Sequence, residues 1–142
     1  MVVSREVAAN RLKRTEHALA RLRRLATMPL DAYLADEDAR TLAERHLQIA
    51  AQCLLDLGNH IVAEEGLGSP DDADGILDCL AGAGVVAPAL HARVKGLGGF
   101  RNILVHDYLG IDHRRVHAML GRLDDLADLA RALGEHADKP GG

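Results

Sequence analysis

Apolar residues recur at three- and four-residue steps through most of the chain, and nowhere do they alternate as a half-buried strand requires. Val7, Leu12, Leu19, Leu22 and Leu25 trace the first stripe. It predicts a helix capped by Ser4 and running to about Thr27, where Met28-Pro29 ends it. The following PLDAYLAD reads as a turn or a single helical turn. A second stripe, Leu42, His46, Ile49, Cys53, Leu57 and Ile61, predicts a long helix from about Asp36 to Glu65, stopped at Gly66. Such a helix spans about 45 Å and is expected to be the spine of the domain. GLGSPDD then breaks the chain, with Ser69 as the expected N-cap and Pro70 as the first residue of a short helix carrying Ile76, Leu77, Leu80 and Ala81. Pro88 opens another helix, expected to continue through the glycines of GLGG (Gly96 to Gly99) to about Tyr108, with Gly110 as its stop. Asp112 caps a last helix through Val116, Met119, Leu120, Leu123, Leu126, Leu129 and Leu133, before a frayed DKPGG tail. The expected fold is all-α, an antiparallel bundle of four main helices plus a short one.

The length of 142 residues fits one domain over 1–142, with an ordered core at about 4–136. No apolar run approaches a membrane span, and the charged, amphipathic N-terminal segment lacks the apolar block of a secretory signal. Cys53 and Cys79 form no CxxC pair and read as buried free thiols, so a cytoplasmic location is expected. With one Phe, two Tyr and no Trp, recognition by stacking successive bases on aromatic platforms is disfavoured. Gripping phosphate is not. The net charge of −4 hides segregation: residues 1–27 carry +5, residues 31–80 carry −10 and residues 87–122 carry +4. Either basic segment can face an anion, although solvated helix faces are the simpler explanation of such runs.

The stretch FRNILVHDYLGID, Phe100 to Asp112, departs from the bundle pattern. On an ideal helix from Pro88, Leu90, Val94, Leu97 and Leu104 define an apolar face, and Arg101 falls on it, about 20° from Leu90. A guanidinium buried there without partners costs several kcal/mol. The face must therefore open into a cleft, meet a partner chain or be rotated at Gly98-Gly99. Asn102 and His106, four apart, share a different face, while Tyr108 returns to the Arg101 side. Convergence then requires long reaches, a loosened helix after His106 or a second copy of the site across a dimer.

The residue types suit phosphate chemistry. A histidine passes protons near neutrality, an arginine offers a fixed positive fork, and an amide orients either one. RNA brings its own nucleophile, the ribose 2′-OH, so cleavage needs no metal if His106 moves the protons and Arg101 stabilises the charged transition state. RxxxxH spacing alone is weak, and an interfacial Arg101 with a structural His106 accounts for it as well.

The stretch resembles the signature of HEPN-domain proteins, specifically the HepT toxins of HepT/MntA toxin–antitoxin modules, whose RxxxxHxY motif is matched by Arg101, His106 and Tyr108. LLDLGNHIVAEEGLGSPDD resembles the family's second helix, with Asn59 and His60 matching its Asn-His pair, and LAGAGVVAPALHARVKGLGGFRN resembles its connection into the motif helix. The likeness covers roughly residues 5–130. It implies a helical HEPN fold, usually a homodimer whose two motifs line one cleft. It also implies a metal-independent endoribonuclease with Arg101, His106 and Asn102 at its catalytic site, and no cofactor. The implied partners are an RNA substrate and a cognate MntA-like nucleotidyltransferase antitoxin, which neutralises the toxin by attaching AMP to Tyr108. Asn59 and His60 are secondary candidates.

His113 and His117 form an HxxxH pair with no third ligand nearby, so surface histidines are expected there rather than a metal site. His17, His46, His91 and His136 carry no usable signal. Two rival readings stay open: a non-catalytic helical module that binds a nucleotide or a nucleotidyltransferase, and a purely structural interaction protein.

Overall fold

The computed structural model describes residues 5–105 and 110–139. These form eight helices and no strand: α1 (Arg5–Leu25), α2 (Leu30–Ala35), α3 (Glu37–Glu65), α4 (Ala73–Gly82), α5 (Pro88–Val94), α6 (Leu97–Val105), α7 (His113–Leu120) and α8 (Leu123–Asp138). None of the described helices is long and apolar enough to cross a membrane.

α3 is the spine, as its stripe predicts. Every other helix except α5 packs against it, α1 most extensively. Both helices bury small residues: Ala8, Thr15 and Ala18 on α1, and Ala39, Ala43, Ala50 and Ala51 on α3. Short side chains let helix axes approach closely, and Leu22, Leu47, Leu54 and Leu57 are among the largest fully buried side chains of the core. Thr15 is buried without cost to its hydroxyl, which donates to the Arg11 carbonyl at 2.8 Å. The α3 stripe differs from the sequence reading at one end: Leu42 lies on the surface at 46% exposure, and Ala39, Ala43 and Leu47 face the core instead. At the other end Gly66 adopts a left-handed conformation (φ 63°, ψ 41°), and the Leu67 amide donates back to the Val62 carbonyl at 3.0 Å. That closes the helix as the glycine predicts.

Three boundaries depart from expectation. α4 is capped by Asp72, not Ser69: the Asp72 carboxylate accepts from the Gly75 amide at 2.7 Å. Pro70 folds over Gly75, where a Cβ would meet it at 3.1 Å, so the chain is still turning at Pro70 and enters the helix three residues later. The helix expected from Pro88 to Tyr108 is two helices. Lys95 is extended (φ −56°, ψ 134°) and Gly96 has φ 90°, which redirects α6 away from α5. Gly98 then presses against α4, where a Cβ would stand 2.3 Å from the Ala73 Cβ. The last helix is likewise divided, at Gly121-Arg122, into α7 and α8. Ser4, expected to cap α1, lies outside the described residues, as do His106 and Tyr108.

Candidate functional site

α6 is short, and its buried residues Leu97, Phe100 and Leu104 anchor it against the core. Arg101 stands beside that buried set on α6 and is itself partly buried. The guanidinium reaches across to α3. Its Nη1 donates to Gln52 Oε1 at 3.2 Å, and its Nη2 donates to Asn102 Oδ1 at 3.1 Å. Gln52 in turn donates through Nε2 to Asp56 Oδ1 at 2.7 Å, one turn along α3. The other Asp56 oxygen stands 3.9 Å from Arg11 Nε on α1. A relay from α6 through α3 to α1 thus fixes the plane of the arginine.

The chemistry of its partners sets Arg101 apart. Arg23, Arg93, Arg122 and Arg131 all sit against carboxylates. Among the described residues Arg101 is held by two neutral amide oxygens and by no carboxylate, so its orientation is set without an acidic partner there. A guanidinium carries five N–H donors, and two are engaged here. The other donors have no partner among the described residues and can meet an anion. That is the electrostatic preorganisation a phosphoryl transition state uses.

The structure therefore brings Arg101 and Asn102 together and adds Gln52 and Asp56, which sequence reasoning missed. Their only sequence signal is a Gln-Asp pair at i,i+4 on α3, a common surface arrangement. Asn59 and His60 are not brought to this point. Asn59 is exposed, His60 is half-buried, and neither hydrogen-bonds to Arg101. α6 and α7 descend α3 in the opposite sense, Arg101 against Gln52 and His113 against Glu44. Asn59 and His60 lie past the other end of that path, about 10 Å beyond Gln52 along the helix axis.

The HxxxH histidines are both half-buried. His113 Nδ1 stands 3.2 Å from Glu44 Oε1 on α3. His117 Nε2 meets the Met28 carbonyl at 2.8 Å and its ring packs 5.2 Å from that of Tyr33. Each ring ties α7 to a different element, which is structural work. Burial pushes the Tyr33 hydroxyl up to about 12, with nearby Glu44 adding to the shift and Arg40 opposing it. Other histidines are similarly occupied: His91 pairs with Asp78 at 2.8 Å, His136 with Glu65 at 2.7 Å, and His17 stacks edge-on against His46. Several of the acids between residues 31 and 80 serve as caps, in the relay and in these pairs, while most of them remain exposed on the surface. Both cysteines are free, and burial raises the Cys53 thiol above its ordinary range.

The architecture is that of HEPN-type helical domains. A tri-AMPylated Shewanella oneidensis HEPN toxin, solved in complex with an MNT antitoxin, superposes with a TM-score of 0.80 at 21% identity, over 91% of this chain and 97% of that one. The cytosolic protein YutE of Bacillus subtilis superposes with a TM-score of 0.77 at 24% identity, over 92% of this chain and 88% of that one. At such identities the likeness defines the fold alone. Sequence defines the family: residues 15–133 match the Ribonuclease HepT-like model, and the chain belongs to that family. A tRNA nuclease HepT of Aphanizomenon flos-aquae is 28% identical over 111 residues, covering 78% of this chain and 75% of the relative. An mRNA nuclease HepT of Shewanella oneidensis is 33% identical over 83 residues, covering 57% and 62%.

Proposed function

We propose that this protein is the toxin of a toxin–antitoxin pair, an endoribonuclease that cuts RNA without a metal ion. Arg101, Asn102 and His106 are its catalytic residues, in one domain over 1–142 acting in the cytoplasm. The observation that carries the reading is the guanidinium of Arg101, held by two neutral amides and by no carboxylate among the described residues, five positions before His106 in the sequence. In the reaction the ribose 2′-OH attacks the adjacent phosphorus and the 5′-oxygen departs, leaving a 2′,3′-cyclic phosphate. His106 moves a proton to or from these oxygens, and Arg101 stabilises the added charge on the phosphorane-like transition state. Asn102 holds the arginine fork in plane. Membership of the HepT-like family and the nuclease relatives support this assignment.

Neutralisation is assigned to Tyr108. Its phenolic oxygen attacks the α-phosphorus of ATP in a partner nucleotidyltransferase, pyrophosphate leaves, and the attached AMP adds bulk and negative charge beside the arginine. The antitoxin complexes of structural neighbours are consistent with such a partner. A homodimer sharing one cleft is part of the proposal; the surface-exposed Leu42 and Val105 support it as sites for a second copy to cover.

Induced expression, with and without a cognate MntA-like nucleotidyltransferase, tests the assignment. Growth arrest is expected for the unsubstituted chain and not for His106→Ala. Co-expression is expected to rescue growth and to add the mass of AMP to the peptide containing Tyr108. Rescue should fail for Tyr108→Phe if that variant remains toxic. Equal arrest by the unsubstituted chain and His106→Ala would remove the catalytic assignment and leave the binding-module reading in its place.

A further inference from the structure

The two elbows that the sequence does not announce, α5–α6 and α7–α8, enclose a cavity of about 280 Å³. Val94, Leu97, Phe100 and Leu126 form an apolar, buried floor. Around it stand four cationic side chains, Arg93, Lys95, Arg115 and Arg122, against one lining acid, Asp125. Two of the cations are fixed in place. Arg93 Nη1 donates to Asp125 and to Asp128, both at 3.0 Å, while Arg122 donates to Asp125 at 3.1 Å and to the Arg93 carbonyl. Lys95 and Arg115 are different: both are exposed, and neither side chain has an acidic partner among the described residues.

We propose that this cavity is a second RNA-binding site, which takes one nucleotide unit of the substrate outside the cleaved linkage. The inference rests on the nuclease reading and names where that enzyme holds the flanking strand. A floor of apolar side chains accepts a base or ribose face, and the cationic rim accepts the phosphate attached to it. The cavity is near the lower size limit of small-molecule sites, which suits a single nucleotide rather than a stacked run. That agrees with a chain whose lone Phe is Phe100. α6 ties this site to the catalytic one. Phe100 lines the cavity and Arg101 follows it about 100° round the helix, so one strand engaging both contacts two flanks of a single helix. The two unpaired cations favour a polyanion over an uncharged ligand, and the rim holds four of the six basic residues of 87–122.

Lys95→Glu with Arg115→Glu tests the site, because both side chains are exposed and unpaired and their replacement leaves the core untouched. A companion pair, Lys95→Gln with Arg115→Gln, removes the cations without adding acids. Binding is read by fluorescence anisotropy with 2′-O-methylated single-stranded RNA, which lacks the nucleophile, and cleavage is read separately on unmodified RNA. The proposal expects affinity to fall about tenfold and the slope of log K against log salt to shrink by about 1.4, from two lost contacts at about 0.7 each. For cleavage, KM should rise while kcat stays within a factor of about two, since the transition-state contacts remain. Unchanged affinity and salt slope in both pairs would overturn the proposal. So would a loss confined to co-purification with the nucleotidyltransferase, which would make the cavity a protein-docking site. An unsubstituted chain that neither binds nor cuts RNA would refute the nuclease reading itself, a result distinct from normal cleavage with charge-independent binding.

Discussion

Gly98 and Gly99 are adjacent, yet the structure gives them opposite roles. A Cβ on Gly98 would stand 2.3 Å from the Ala73 Cβ, whereas one on Gly99 meets nothing within 4 Å. Carbon atoms in contact sit about 3.5–4.0 Å apart. Gly98→Ala must therefore move α6 off α4 by more than 1 Å or twist it in place. Overpacking of this kind costs about 1–3 kcal/mol, while alanine regains about 1 kcal/mol of helix propensity over glycine. The net expectation is a loss of about 0–2 kcal/mol for Gly98→Ala and a gain of about 0.5–1 kcal/mol for Gly99→Ala. The pair thus differs by about 1–3 kcal/mol, worth several degrees in Tm for a domain of this size. Urea and thermal unfolding followed by circular dichroism read that difference directly. Because α6 carries Arg101, Gly98→Ala should also depress RNA cleavage more than its stability loss explains, since small displacements of a positioned group cost rate. If Gly98→Ala proves as stable as Gly99→Ala, the close α4–α6 crossing is refuted, and with it the reason given for the glycines before the motif.

Two further outcomes follow from the site and the core. Gln52→Ala removes the neutral oxygen that holds Arg101, so cleavage should fall about five- to tenfold, the rate equivalent of about 1 kcal/mol, while urea unfolding shifts little. An unchanged rate would show that the relay does not position the arginine. His46 is depressed below its ordinary value of 6.5 by burial first, then by Arg21, His17 and Arg45. A histidine kept neutral by the fold but protonated when unfolded makes stability fall as pH drops below about 6.5. His46→Gln should flatten the urea midpoint between pH 6.5 and its folded pKa, and an identical pH profile would contradict that.

The fold was legible wherever long-range periodicity carried it. The stripe from Ile49 to Ile61 marks α3 as the spine, and Gly66 marks its end. The elbows were not, because a helix that bends at Lys95-Gly96 or Gly121-Arg122 keeps an apolar period on both sides of the bend. Only backbone conformation and the close approach at Gly98 distinguish it from one straight helix. Arg101 stood out as a cation on an apolar arc; the helix that defined the arc is broken at Lys95-Gly96, and on α6 alone Arg101 is partly buried beside Leu97, Phe100 and Leu104. What holds it there was invisible, since Gln52 and Asp56 look like any polar pair on a helix surface until α6 is laid across them. The same holds for His113 and His117, whose spacing suggests a shared role and whose partners, Glu44 and Met28, lie far off in sequence.

The most direct measurement is RNA cleavage by the purified protein in excess EDTA, with product ends mapped, for the unsubstituted chain, Arg101→Ala, Arg101→Lys and His106→Ala. The expected result is cleavage that persists in chelator and leaves 2′,3′-cyclic phosphate ends. It should fall by at least about a hundredfold in both alanine variants. Arg101→Lys should recover little, because a point charge does not replace the fork that Gln52 and Asn102 orient. Cleavage abolished by EDTA and restored by added metal, or retained in Arg101→Ala, would contradict the account.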